Sequence, residues 1–147
     1  MVKKIINKPH LFFFGLIPIF VILGIIKRNT PINLNISYIY YLINVDLWCY
    51  ISAVFLALIG LNYLSLYWVK KPVNKWLTIM HIFLQIVCLL PYFYAILNLN
   101  DKGEFSSNGI IEIHNLKMIL AIAFLLFLIS LLIHLINFFS SLFLKRD

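Results

Sequence analysis

Two histidines, His81 and His134, stand inside long apolar runs of the sequence. Ionisable groups are costly at membrane depth, so each marks a candidate functional position. Each also belongs to a polar stripe. Thr78, His81, Gln85 and Cys88 follow at spacings of three and four, as do Ser130, His134 and Asn137, with Ser141 just beyond. Asn62 and Ser65 make a shorter stripe in another run. Such spacings put residues on one face of a helix. Two chemistries suit the pattern. Polar side chains facing one another between helices make an interhelical hydrogen-bonded seam. Paired imidazoles on facing bundle helices can instead ligate haem iron. The seam is the expectation; a haem or quinone site using His81 and His134 is its alternative.

Depth bears on whether these groups meet. At about 1.5 Å per residue, His81 and Asn62 lie about 8 and 9 Å in from the ends of their runs. His134 lies about 8 Å in if its helix ends at Phe139, and about 15 Å in if it continues to Leu144. The first case lets Asn62, His81 and His134 share a level. His10 sits at a run boundary and His114 in a connecting loop, neither with neighbours for a metal site. No metal ligands are expected.

Asp46 opens the second apolar run, beside Leu47 and Trp48. It is expected as a helix N-cap, its carboxylate accepting backbone N–H bonds at the positive end of the dipole. A proton or cation site is the alternative. Cys49 and Cys88 belong to no CxxC, and about 10 Å of helical rise separates their depths, too far for a disulfide. Nothing matches a hydrolase triad, a P-loop, a dinucleotide-binding turn or an HExxH helix. No catalytic residue is assigned.

The elements that must position these groups are membrane spans. The chain has 147 residues, 63% apolar and only 12% charged. Its mean hydropathy is +0.99. A soluble fold of this size cannot hide so much apolar surface. Four runs approach the roughly 20 residues that a span requires: residues 11–26, 47–68, 76–97 and 118–139. Kinks are expected at Pro18 and Pro91. Residues 29–46 and 98–117 read as loops, with turn signals at Asp101-Lys102-Gly103 and Ser107-Asn108-Gly109. Tyr38, Tyr40 and Tyr41 are expected against the headgroups. The fold class is therefore all-α: one membrane domain, residues 1–147, of four transmembrane helices.

The formal charge of +7 is spread along the borders of the apolar runs, unlike the clustered basic face of a nucleic-acid module. Lys3, Lys4, Lys8, Lys70, Lys71, Lys75, Lys145 and Arg146 fall on one side of the four spans. Lys27, Arg28, Lys102 and Lys117 fall on the other. The basic-rich side is expected to be cytoplasmic, which puts both termini inside. Trp48, Trp68 and Trp76 fall at run ends, as headgroup-level residues do. The Ile-, Asn-, Lys- and Tyr-rich usage fits an AT-rich genome, and a bacterial cytoplasmic membrane is the expected location.

Residues 36–48, from Ile36-Ser37-Tyr38 to Asp46-Leu47-Trp48, continue into Ser52-Ala53-Val54-Phe55 and Gly60-Leu61-Asn62-Tyr63. This stretch resembles subunit I of the haem–copper (cytochrome c) oxidases, as does Lys8-Pro9-His10-Leu11-Phe12-Phe13. Weaker matches are His81-Ile82-Phe83-Leu84, Leu90-Pro91-Tyr92-Phe93 and residues 135–142. The clear resemblance covers about a quarter of the chain, and the weak matches extend it to the family's last few helices. Where the family carries its haem-ligand histidines, this chain has Asn44 and Asp46, so no haem or copper ligand carries over. The resemblance implies ancestry or an accessory place near a respiratory complex.

The expected function is thus a non-catalytic integral membrane protein with an accessory place beside a respiratory chain, and with no cofactor. Its partners would be the lipid bilayer and a membrane-protein complex or further copies of itself, with no nucleic acid. The alternatives are a small haem- or quinone-binding electron carrier and an oligomeric transporter or channel subunit. Polar intramembrane candidates are Asp46, Asn62, Gln85 and Asn137.

Overall fold

In the computed structural model the four apolar runs become four α-helices: α1 (Pro9–Ile26), α2 (Val45–Trp68), α3 (Lys75–Leu97) and α4 (Ile113–Phe143). The structure describes residues 8–36, 39–71, 73–100 and 113–143. All four helices are long and apolar enough to cross a membrane. Pro9 opens α1 at a position where its missing N–H costs nothing. Both α1 and α3 continue past their internal prolines, Pro18 and Pro91.

The first three helices start within two residues of the expected bounds. The fourth is longer at both ends, and it takes in His114, which the sequence reading placed in a loop. Apolar residues continue past both ends of the expected span: Ile110, Ile111 and Ile113 before it, and Leu142 and Phe143 after it. The expected turns at residues 101–103 and 107–109 lie outside the described residues.

A second departure lies between α1 and α2. Residues 29–46 do not form a loop. Strands β1 (Pro31–Ile36) and β2 (Ile39–Asn44) pair antiparallel, with Ile32 opposite Ile43 and Leu34 opposite Tyr41. The Ile-Asn-Leu-Asn-Ile sequence of β1 alternates with the period of two that a strand demands. Below the hairpin, the Val45 N–H donates to the Thr30 carbonyl at 2.9 Å. Tyr38 lies outside the described residues, and Tyr40 and Tyr41 lie in β2.

The helices associate as two hairpins. Helix α1 packs along α2, and α3 packs along α4, while α2 and α4 meet only lightly. Aromatic rings bridge the hairpins. Phe20 of α1 lies 5.9 Å from Tyr92 and 5.3 Å from Phe93 of α3. Phe55 of α2 lies 5.6 Å from Phe127 of α4. Most of the apolar core comes from α1 and α2, including Phe13, Phe20, Cys49, Leu56, Ile59 and Tyr63. The buried residues of α3 and α4 are largely polar. Large apolar side chains such as Ile22, Val54, Phe83, Leu90 and Leu132 cover the outside, as a lipid-facing surface requires.

The turn after α2 closes by a specific device. Lys70 takes a left-handed φ of 55°. The Lys70 N–H donates to the Tyr67 carbonyl at 3.2 Å, and the Lys71 N–H donates to Leu66 at 3.0 Å. That pair of bonds is a Schellman motif, which satisfies the last carbonyls of the helix.

Candidate functional site

One ring from each helix meets at the end of the bundle that carries residues 69–74. Phe13 of α1 stacks on Tyr63 of α2 at 5.6 Å and on His81 of α3 at 5.0 Å. His134 of α4 stacks on His81 at 4.9 Å, with 29° between the rings, and lies 4.9 Å from Tyr63. All four side chains are buried. A helical face of Leu56, Ile59, Gly60 and Tyr63 turns α2 inward, and the face Thr78, His81, Gln85 does the same for α3.

Hydrogen bonds surround the rings. Tyr63 Oη pairs with His81 Nδ1 at 2.9 Å. Asn62 Nδ2 pairs with His134 Nε2 at 3.3 Å. The Ser130 hydroxyl donates to the His81 carbonyl at 3.3 Å. Asn137 binds twice: its Nδ2 donates to Thr78 Oγ1 at 2.9 Å, and its Oδ1 accepts the Asn74 N–H at 3.0 Å. Thr78 Oγ1 in turn donates to the Asn74 carbonyl at 2.9 Å. These contacts tie α4 to the start of α3. The Lys71 ammonium adds to them by donating to the Leu142 carbonyl, near the end of α4.

Asn62, His81 and His134 therefore meet, as the sequence allowed under one condition. That condition, a fourth helix ending at Phe139, does not hold, because α4 runs to Phe143. Asn137 explains the difference. It pairs with Asn74, just before α3 begins, so the last turns of α4 overhang α3 and lie beside Lys71 and Asn74. His134 thereby keeps the level of His81.

Three buried atoms at this site have no hydrogen-bond partner: His81 Nε2, His134 Nδ1 and Gln85 Oε1. The stacked rings face one another directly, and their contact leaves no gap for a macrocycle between them. As packed, the pair does not fit bis-histidine haem, which requires both rings end-on to an intervening iron. Among the described residues, no three His, Cys, Asp or Glu side chains come together as a metal site would require.

Asp46 is placed differently from the expectation. The cap of α2 is Asn44, whose side chain makes no capping bond, and Asp46 lies in the first helical turn. A helix begun at Val45 by the strand hairpin leaves Asp46 two positions too late to cap it. The carboxylate still lies at the favourable end of the dipole, with Oδ1 buried and unpartnered. Cys49 and Cys88 are buried free thiols. His10 is buried against the Tyr67 ring at 5.3 Å.

Sequence reasoning missed Phe13, Tyr63 and Asn74 as parts of this cluster. A signal for Tyr63 was present: it directly follows Asn62 and lies at a spacing of four from Ile59. Comparison with protein-family models, curated proteins and solved structures finds no match to this chain.

Proposed function

We propose that the chain is a non-catalytic integral membrane protein of a bacterial cytoplasmic membrane, with both termini inside, acting as an accessory subunit beside a respiratory complex. The observation that carries this reading is how the cluster uses its histidines. Each imidazole is bonded to a neighbouring helix through one nitrogen and stacked on the other imidazole through its face. That is an interhelical joint of the kind polar side chains make in bundles. The resemblance of residues 36–63 to oxidase subunit I supports the respiratory setting, and the eight-to-four split of Lys and Arg supports the orientation.

The electron carrier is the second reading. Its support is the pair of unpartnered nitrogens, His81 Nε2 and His134 Nδ1. A reduced-minus-oxidised spectrum of the purified protein, with a pyridine haemochrome assay, separates the two. The accessory reading expects no stoichiometric haem. A haem-to-protein ratio near one, lost in His81→Ala or His134→Ala, overturns it. Reporter fusions test the topology. Residues 70–75 are expected in the cytoplasm and residues 101–112 outside, and a C-terminal reporter active only outside refutes that orientation.

A further inference from the structure

The described charges are not spread evenly between the two ends of the bundle. At the end carrying residues 69–74 lie Lys8, Lys70, Lys71 and Lys75, and no carboxylate lies there among the described residues. The described carboxylate, Asp46, is in the first turn of α2, at the opposite end. Helices α1 and α3 both begin at the lysine-rich end, and neither has an acidic residue in its first turn. Helices α2 and α4 end here, so the helix dipoles offset one another and the excess positive charge at this end is that of the lysines.

Two tryptophans frame this charge. Trp68 is 74% exposed and Trp76 is 77% exposed, one on each side of the turn. Tyr67 is exposed beside them, with the Lys8 ammonium 5.5 Å from its ring centre. Lys71 is committed to the Leu142 carbonyl, while Lys70 and Lys75 are exposed. Indole rings left in the open beside free ammonium groups suit a surface with an apolar interior and an anionic boundary. An acidic protein segment would match the charge, but it would give no reason for two indoles at the level where the apolar helices end.

We propose that this end of the bundle binds anionic phospholipid, with Lys70, Lys75 and Lys8 holding the headgroup phosphate and Trp68 and Trp76 seated at the acyl boundary. The chemistry required is a phosphodiester carried on acyl chains. A free phosphate supplies the charge without the apolar part. The inference rests on the membrane reading above and goes beyond it by naming a lipid class and its residues.

Brominated lipids test it, because the chain has only three tryptophans and bromine on an acyl chain quenches indole fluorescence on contact. In a Trp48→Phe background, emission comes from Trp68 and Trp76 alone. The protein is reconstituted in phosphatidylcholine vesicles containing brominated phosphatidylglycerol or brominated phosphatidylcholine. Phosphatidylglycerol should win by roughly fivefold or more, since one lysine near an anionic surface contributes about that factor. The preference should fall toward one in Lys70→Gly/Lys75→Gln and in high salt. Lys70→Gly suits the test because its left-handed φ favours glycine, so loss of the fold does not explain a lost preference. Inorganic phosphate added to vesicles of either kind should leave the ratio unchanged.

A wild-type ratio of one overturns the proposal and points to an acidic protein segment instead. An unchanged ratio in the double variant also overturns it. So does an equal preference reported by Trp48 alone in Trp68→Phe/Trp76→Phe, because that probe sits at the other end. If neither brominated lipid quenches, the membrane reading itself has failed, which is a different outcome from quenching without preference.

Discussion

The two helical hairpins are held together by different means. Between α1 and α2 the interface is shape. Gly24 and Gly60 let rings approach the backbone: a Cβ added at Gly60 would stand 2.7 Å from Phe14, and one at Gly24 would stand 2.8 Å from Tyr50. Phe13, Phe20, Leu56 and Ile59 fill the rest. Between α3 and α4 the interface is hydrogen bonds, from Thr78, His81, Ser130 and Asn137. Where lipid tails replace water, apolar burial no longer drives helices together, so close packing and polar pairing remain. This chain uses one in each hairpin and joins them at a cluster that takes one ring from every helix.

Four substitutions test that contrast, each read as thermal unfolding of the purified protein in detergent. The largest loss is expected where the hairpins meet. Phe13→Ala empties a fully buried site stacked on both Tyr63 and His81, and it should cost about 3–5 kcal/mol. A loss below that of the polar substitution would mean that the rings do not join the hairpins.

Asn137→Leu comes next. It leaves the Asn74 N–H without its acceptor and removes the bond that Thr78 Oγ1 accepts, while the Thr78 hydroxyl still donates to the Asn74 carbonyl, at a cost of about 2 kcal/mol. A neutral outcome would show that α3 and α4 are held by packing, like the other hairpin, and the distinction would fall.

The smallest effects are expected at the glycines, and there the two positions should differ. Gly60→Ala pushes on the half-buried Phe14 ring. Overpacking of about 1–3 kcal/mol exceeds the gain of about 1 kcal/mol from helix propensity, so a net loss is expected. Gly24→Ala meets Tyr50, which is exposed and able to swing away, and only more loosely the Cys49 Cβ at 3.3 Å. A smaller overpacking is thus set against the gain of about 1 kcal/mol from helix propensity, and the net effect should be near neutral. Equal losses at both positions would remove the distinction between a fixed ring and a free one.

The strand hairpin shows where a reading tuned to membrane spans overlooks local pattern. Each half of residues 31–44 is too short to span a membrane, so apolar run length alone leaves this stretch a loop. Yet Ile32, Leu34 and Ile36 alternate with Asn33 and Asn35 as a strand does. That omission also displaced Asp46, because the strand decides where α2 begins. The overhang of α4 was hidden for another reason: it depends on Asn137 reaching Asn74, a contact between residues far apart in the chain.

Legible from the residues alone were the number of long apolar helices, their bounds to within a few residues over α1, α2 and α3, and the faces that carry Thr78, His81 and Gln85 or Ser130, His134 and Asn137. These follow from apolar run length and from a repeat of 3.6 residues, both local properties of the chain. The pairing of His81 with Tyr63 and of His134 with Asn62, and the closure of the cluster by Phe13, come from the packing of whole helices. A helical repeat tells which residues share a face. Which face meets which, and at what axial offset, depends on the rotation and sliding of whole helices, and these are set by contacts such as Phe14 on Gly60 and Asn137 on Asn74.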